Sequence, residues 1–100
     1  MFAHSAIERV DLPATLKRIE HGAFESCKNL RNINLPERLE YIGNGCFKRS
    51  GLESIRLPHE LKTIEENVFY QCESLKSVEY PEKLEKIGKF AFQQTKLENV

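Results

Sequence analysis

The amino-acid sequence predicts a β-rich solenoid that turns once per repeat. Three observations carry this: a period of 22 or 23 residues, a proline column that closes one segment of each unit, and a phenylalanine column that recurs with the same step. Two-helix repeats need about 33 to 47 residues, so a unit this short suits a single coil.

The period is read from apolar columns. The first runs Ile7, Leu30, Leu52, Leu75 and Leu97, with steps of 23, 22, 23 and 22. Three residues later in each unit stand Val10, Ile33, Ile55, Val78 and Val100. Leu12, Leu35, Leu57 and Tyr80 follow, each succeeded by proline: Pro13, Pro36, Pro58 and Pro81. Residues at places 4 and 6 alternate as in a half-buried strand. The proline at place 7 cannot donate to a ladder and so marks the strand's end.

Past the proline come Leu16, Leu39, Leu61 and Leu84, then Ile19, Ile42, Ile64 and Ile87. This second segment, bounded by Gly43 or Gly88 in two units, is expected to be a short strand or extended turn on the opposite wall. A small-residue column of Ala23, Cys46, Val68 and Ala91 precedes Phe24, Phe47, Phe69 and Phe92, with Phe2 matching them at the start. A tight or 3₁₀ turn here would drive each phenylalanine inward.

Stacking such units places the first strands side by side in a parallel sheet of about five short strands, spaced about 4.8 Å apart. The reading is a single domain over residues 1–100, with partial units at 1–6 and 97–100 and units at 7–29, 30–51, 52–74 and 75–96, cut from a longer array. The link from phenylalanine to the next unit is six residues after Phe24 and Phe69 and five after Phe2, Phe47 and Phe92. Cys27 and Cys72 sit in the longer links; Ser5, Ser50 and Thr95 take their place in the shorter ones. The repeating object is then a pair of units, 45 residues long.

Composition sets outer bounds. The chain is 40% hydrophobic and 30% charged, an ordinary globular balance for about one domain. Fifteen basic and fifteen acidic residues leave no net charge, hence no overall field toward nucleic acid or anionic membranes. No apolar run reaches spanning length and the first residues lack a signal peptide's pattern, so a soluble, untargeted chain is expected.

The pattern L-x-x-I-x-L-P-x-x-L-x-x-I-x-x-x-A-F-x-x-C resembles the leucine-rich-repeat superfamily in its BspA-like subclass, over essentially the whole chain. Departures are local: Tyr80 replaces a leucine, Glu20 and Glu65 stand where the family often has glycine, and Asn67 and Phe90 replace Gly22 and Gly45. The resemblance implies a curved leucine-rich-repeat solenoid serving recognition on microbial cell surfaces, without catalysis. A surface or secreted location follows from that likeness, with a cytoplasmic one as the alternative.

On such a solenoid the outward strand residues form the candidate partner-binding surface: Arg9, Asn32, Ser54, Ser77 and Asn99 in one column, Asp11, Asn34, Arg56 and Glu79 in the next. Interfaces anchor on Trp, Tyr or Arg, which singles out Arg9 and Arg56. Two further columns alternate in sign, Glu8, Arg31, Glu53, Lys76, Glu98 and Lys17, Glu40, Lys62, Glu85, an arrangement that would favour register. Exposed pairs of this kind contribute about 0 to 1 kcal/mol each. Tyr41, Tyr70 and Phe90 stand where sister units carry polar or small residues. They either cover the coil below or mark a contact surface off the sheet.

No catalytic or metal constellation emerges. His4, His21 and His59 fall in different columns, away from zinc-type pairing with the cysteines. Cys27 and Cys72 lie two coils apart, roughly 10 Å, beyond disulfide reach, and all three cysteines read as small core residues. The expectation is a non-enzymatic protein-recognition or adhesion module with a protein partner, no cofactor, no nucleic acid and no membrane insertion. Self-association through the solenoid ends is also expected, and the alternative is a structural spacer within a larger surface protein.

Overall fold

The computed structural model describes residues 2–97; Glu98, Asn99 and Val100, which continue their columns in sequence, lie outside the described residues. Its continuous wall is built from the turns at 21–26, 44–49, 66–71 and 89–94. Each phenylalanine amide donates to the small-residue carbonyl of the next coil: Phe2 to Ala23 at 2.8 Å, Phe24 to Cys46 at 2.8 Å, Phe47 to Val68 at 3.0 Å and Phe69 to Ala91 at 2.9 Å. This ladder fixes the ring spacing. Phe2, Phe24, Phe47, Phe69 and Phe92 form one internal stack, with centroids 5.6, 5.4, 5.7 and 5.3 Å apart.

The turn conformation requires left-handed residues at two places per coil. Gly22, Gly45, Asn67 and Phe90 hold one place at φ between 61° and 66°. His4, Ser26, Arg49, Gln71 and Gln94 hold the other at φ between 56° and 62°. Glycine tolerates the first without strain, while a bulky side chain there is an outlier.

The opposite wall repeats in pairs of coils. β1 (Arg18–Ile19) pairs in parallel with β2 (Tyr41–Ile42), and β4 (Thr63–Ile64) with β6 (Lys86–Ile87). Glycine makes this approach possible. A Cβ on Gly43 would lie 2.4 Å from the His21 nitrogen, and one on Gly88 2.6 Å from that of Glu66. The sequence period of 45 thus has a physical counterpart in two coils brought together at one glycine.

The links differ in how they close. In the short link the Ser50 hydroxyl accepts the Leu52 amide at 3.5 Å; in the long one the Cys27 carbonyl accepts the Leu30 amide at 3.2 Å. The thiol then turns to the neighbouring coil: Cys72 Sγ donates to the Phe47 carbonyl at 2.9 Å and Cys27 Sγ to that of Phe2 at 3.0 Å. All three cysteines are free and buried.

The strand face departs from one uniform sheet of about five strands. Among the described residues, only β3 (Ser54–Arg56) and β5 (Ser77–Glu79) pair as strands there, in parallel, with Ser54 opposite Ser77, Ile55 opposite Val78 and Arg56 opposite Glu79. Lys76 N–H to Glu53 O at 3.0 Å and Leu57 N–H to Glu79 O at 2.9 Å extend the pairing. Toward the N-terminal coils it thins to one bond, Glu53 N–H to Arg31 O at 3.0 Å. Asn32, Asn34 and Asp11 stand in these unpaired segments, and residues of these types are disfavoured in strands.

The core follows the columns. Phe47, Phe69, Leu30, Leu39, Leu52 and Leu75 have no exposed surface. In the outermost described coils the same columns open: Ile7, Val10 and Leu12 are half-buried, while Ile87 is 51% and Tyr80 40% exposed. Tyr80 packs edge-on against Phe92 at 5.9 Å, whereas Leu57 in the same column is buried in the core.

The alternating charge columns do not close as ion pairs. Among the described residues the bridges within 4.0 Å are Arg18 to Glu20, Arg56 to Glu37 and His59 to Glu37, none linking members of either column. Register is held by backbone instead, as in Glu40 N–H to Lys17 O at 2.8 Å and Glu85 N–H to Lys62 O at 2.7 Å. The charged tips stay in water, where pairing contributes little.

Candidate functional site

Where strand pairing lapses, a groove of about 530 Å³ opens between the first two strand segments. Its lining is Glu8, Arg9, Val10 and Asp11 on one side and Asn29, Arg31, Asn32, Ile33 and Asn34 on the other. Among the described residues no backbone hydrogen bond crosses between Ile7–Leu12 and Leu30–Leu35. The amides of Arg9, Val10, Asp11, Asn32, Ile33 and Asn34 have no backbone acceptor among the described residues, and such groups seek partners.

Of the nine candidate residues Asn99 lies outside the described ones, and four of the other eight meet in this groove: Arg9, Asp11, Asn32 and Asn34. Asn34 and Arg56 line a second depression of about 260 Å³ with Glu37 and Pro58. Ser54 Oγ donates to Asn32 Oδ1 at 3.4 Å, joining the second coil to the third across the outer face. Ser77 and Glu79 lie beside Ser54 and Arg56 in the β3–β5 pair, away from the first groove. The eight residues thus form a band that is open and grooved at one end and closed by strand pairing at the other.

Sequence reasoning missed Glu8, Arg31, Asn29 and Glu37. Glu8 and Arg31 belong to a charge column, whose sign alternation points to register instead. Asn29 occupies the extra place of the long link, and that insertion was the signal available for it. Glu37 has no columnar signature; its carboxylate approaches Arg56 Nη2 at 3.7 Å and His59 Nε2 at 3.8 Å beside the second depression.

The remaining aromatic departures lie off this face. Arg18 places its guanidinium 4.2 Å from the Tyr41 centroid, so Tyr41 is packed under a neighbouring side chain. Tyr70 meets Phe90 edge-on at 6.3 Å, and Phe90 stays 56% exposed. Burial pushes the Cys46 thiol up to about 12, leaving it protonated at neutral pH. Among the described residues no three His, Cys, Asp or Glu side chains gather as a metal-holding group, and no helix is long and apolar enough to cross a membrane.

The family model described as BspA type leucine rich repeat region matches residues 1–100, in 6 copies. Among solved structures, the chain is similar to a leucine-rich repeat protein from Bacteroides ovatus ATCC 8483, with 34% identity and a TM-score of 0.88, covering 93% of this chain and 24% of that one. It is also similar to the T. pallidum leucine-rich repeat protein TpLRR, at 26% identity and a TM-score of 0.62, covering 93% of this chain and 55% of that one. The chain therefore spans about a quarter and about half of these two proteins. A search of curated proteins finds no match.

Proposed function

As the chain belongs to the BspA-type leucine-rich-repeat family, whose fold generally serves protein interaction, we propose that it is a non-enzymatic recognition or adhesion segment that binds a protein through its strand face. Arg9, Asp11, Asn32 and Asn34 form the principal contact zone, and Ser54, Arg56, Ser77 and Glu79 its extension. The unpaired groove between the first two strand segments supports this reading most. A partner laid there gains main-chain hydrogen bonds as well as contacts to an arginine anchor. The spacer alternative draws on the absence of aromatic side chains among the eight outward residues.

The test is a protein array of secreted and surface proteins probed with the wild-type chain and with an Arg9→Ala/Asn32→Ala/Asn34→Ala variant of unchanged melting temperature. Binders that lose about tenfold or more in affinity in the variant support the strand face. Binders indifferent to it overturn that assignment, and an array without binders favours the spacer.

A further inference from the structure

Five of the six phenylalanines form the internal stack, and Phe90 stands outside it. Its backbone occupies, at φ 61°, the left-handed place that sister coils give to Gly22, Gly45 and Asn67. A strained position is retained when something else benefits from it. Core packing does not, since the side chain is more than half exposed.

Around Phe90 the turn wall carries an ordered polar and aromatic ridge. Tyr70 meets it edge-on, and Lys48 Nζ lies 5.7 Å from the Tyr70 ring centre. Beside them runs a side-chain ladder: Arg49 Nε donates to Gln71 Oε1 at 2.7 Å, and Gln71 Nε2 donates to Gln94 Oε1 at 2.6 Å. The three turns that bear the ridge, 44–49, 66–71 and 89–94, hold Lys48, Arg49 and Lys89 against the single carboxylate of Glu66. A neutral chain therefore carries a local positive surplus where its stray aromatics lie.

We propose that this ridge, formed by Lys48, Arg49, Tyr70, Gln71, Phe90 and Gln94, is a second docking surface, separate from the strand face, for an acidic protein segment carrying an apolar anchor. The cations complement acidic side chains, and Phe90 with Tyr70 receives the anchor, the composition of an interface hot spot. An edge-to-face ring pair offers no parallel platform on which nucleic-acid bases or sugar faces could stack in succession, so a protein segment fits better. The assignment does not depend on the strand-face reading.

Selection of displayed short peptides on the immobilised chain, with counter-selection on Phe90→Gly, tests it. Phe90→Gly and Phe90→Asn restore residues that sister coils already carry at this place, so both variants should melt no lower than the wild type. Enriched peptides should combine Asp or Glu with an apolar residue. As synthetic peptides they should weaken about tenfold or more in both variants and in Lys48→Glu/Arg49→Glu, and bind Arg9→Ala/Asn34→Ala unchanged. The proposal is overturned by peptides that bind the Phe90 variants equally well, by enrichment without acidic residues, or by retention on an acidic polysaccharide with no peptide selected.

Discussion

The Phe47 and Phe69 rings lie 5.7 Å apart with only 4° between their planes, at the centre of a stack that runs through every described coil. Phe47 has no exposed surface. Phe47→Ala therefore empties a site enclosed by coils on both sides and is expected to cost about 3 to 5 kcal/mol. Phe2, half-buried and stacked on one side only, should cost much less when replaced by alanine. Denaturant melts of the two variants check the ordering.

Gly43 supports a different contact, the backbone approach that joins coils in pairs. An alanine methyl there would meet main-chain atoms of Glu20 and His21, which cannot turn aside as a side chain would. Gly43→Ala should destabilise by about 1 to 3 kcal/mol through overpacking. The reverse substitution in the partner coil, Glu20→Gly, relieves no such contact and should not rescue it. Thermal melts of the single and double variants measure both.

The columns made the coil, its direction and nearly all of its core legible, because a residue that recurs every 22 or 23 places can only stack on itself. They did not disclose where pairing stops. Val10 and Ile33 match Ile55 and Val78 as apolar strand residues, and only the Asn and Asp side chains flanking them distinguish the open segments from the paired ones. The charge columns misled for a related reason. Sign alternation is visible in sequence, whereas the distance between long exposed side chains is not. Phe90 was legible as a departure, yet its left-handed backbone and its contact with Tyr70 needed coordinates.

Cys46 predicts a pH response. Burial raises its folded-state value from 9.0 to about 12, so between these values the native chain keeps a proton that the unfolded chain releases. Stability from this residue is complete below about pH 9. It falls by roughly 1 kcal/mol per unit as pH rises toward 12. Cys72 shifts in the same direction, also through burial. Cys46→Ala, which installs the residue of sister coils, should decline less steeply over that range in urea melts at graded pH. Parallel profiles would contradict the assignment.

Ile87 is 51% exposed although Ile19, Ile42 and Ile64 in its column are buried, and Tyr80 adds apolar surface to the same coil. This apolar area predicts that the isolated chain buries the face against a second copy. Sedimentation velocity is expected to show concentration-dependent association that Ile87→Lys reduces. A wild-type monomer at all concentrations would contradict it.

One part of the strand face is left unpaired while another is closed, and amide hydrogen exchange reads this directly. Leu57 and Lys76 donate within the β3–β5 region and should exchange slowly, whereas the amides of Arg9, Val10, Asp11, Asn32, Ile33 and Asn34 have no backbone acceptor and should exchange orders of magnitude faster. That contrast is the predicted result. Equal protection along all strand segments would mean a continuous sheet without a groove, and would contradict the recognition surface built on it.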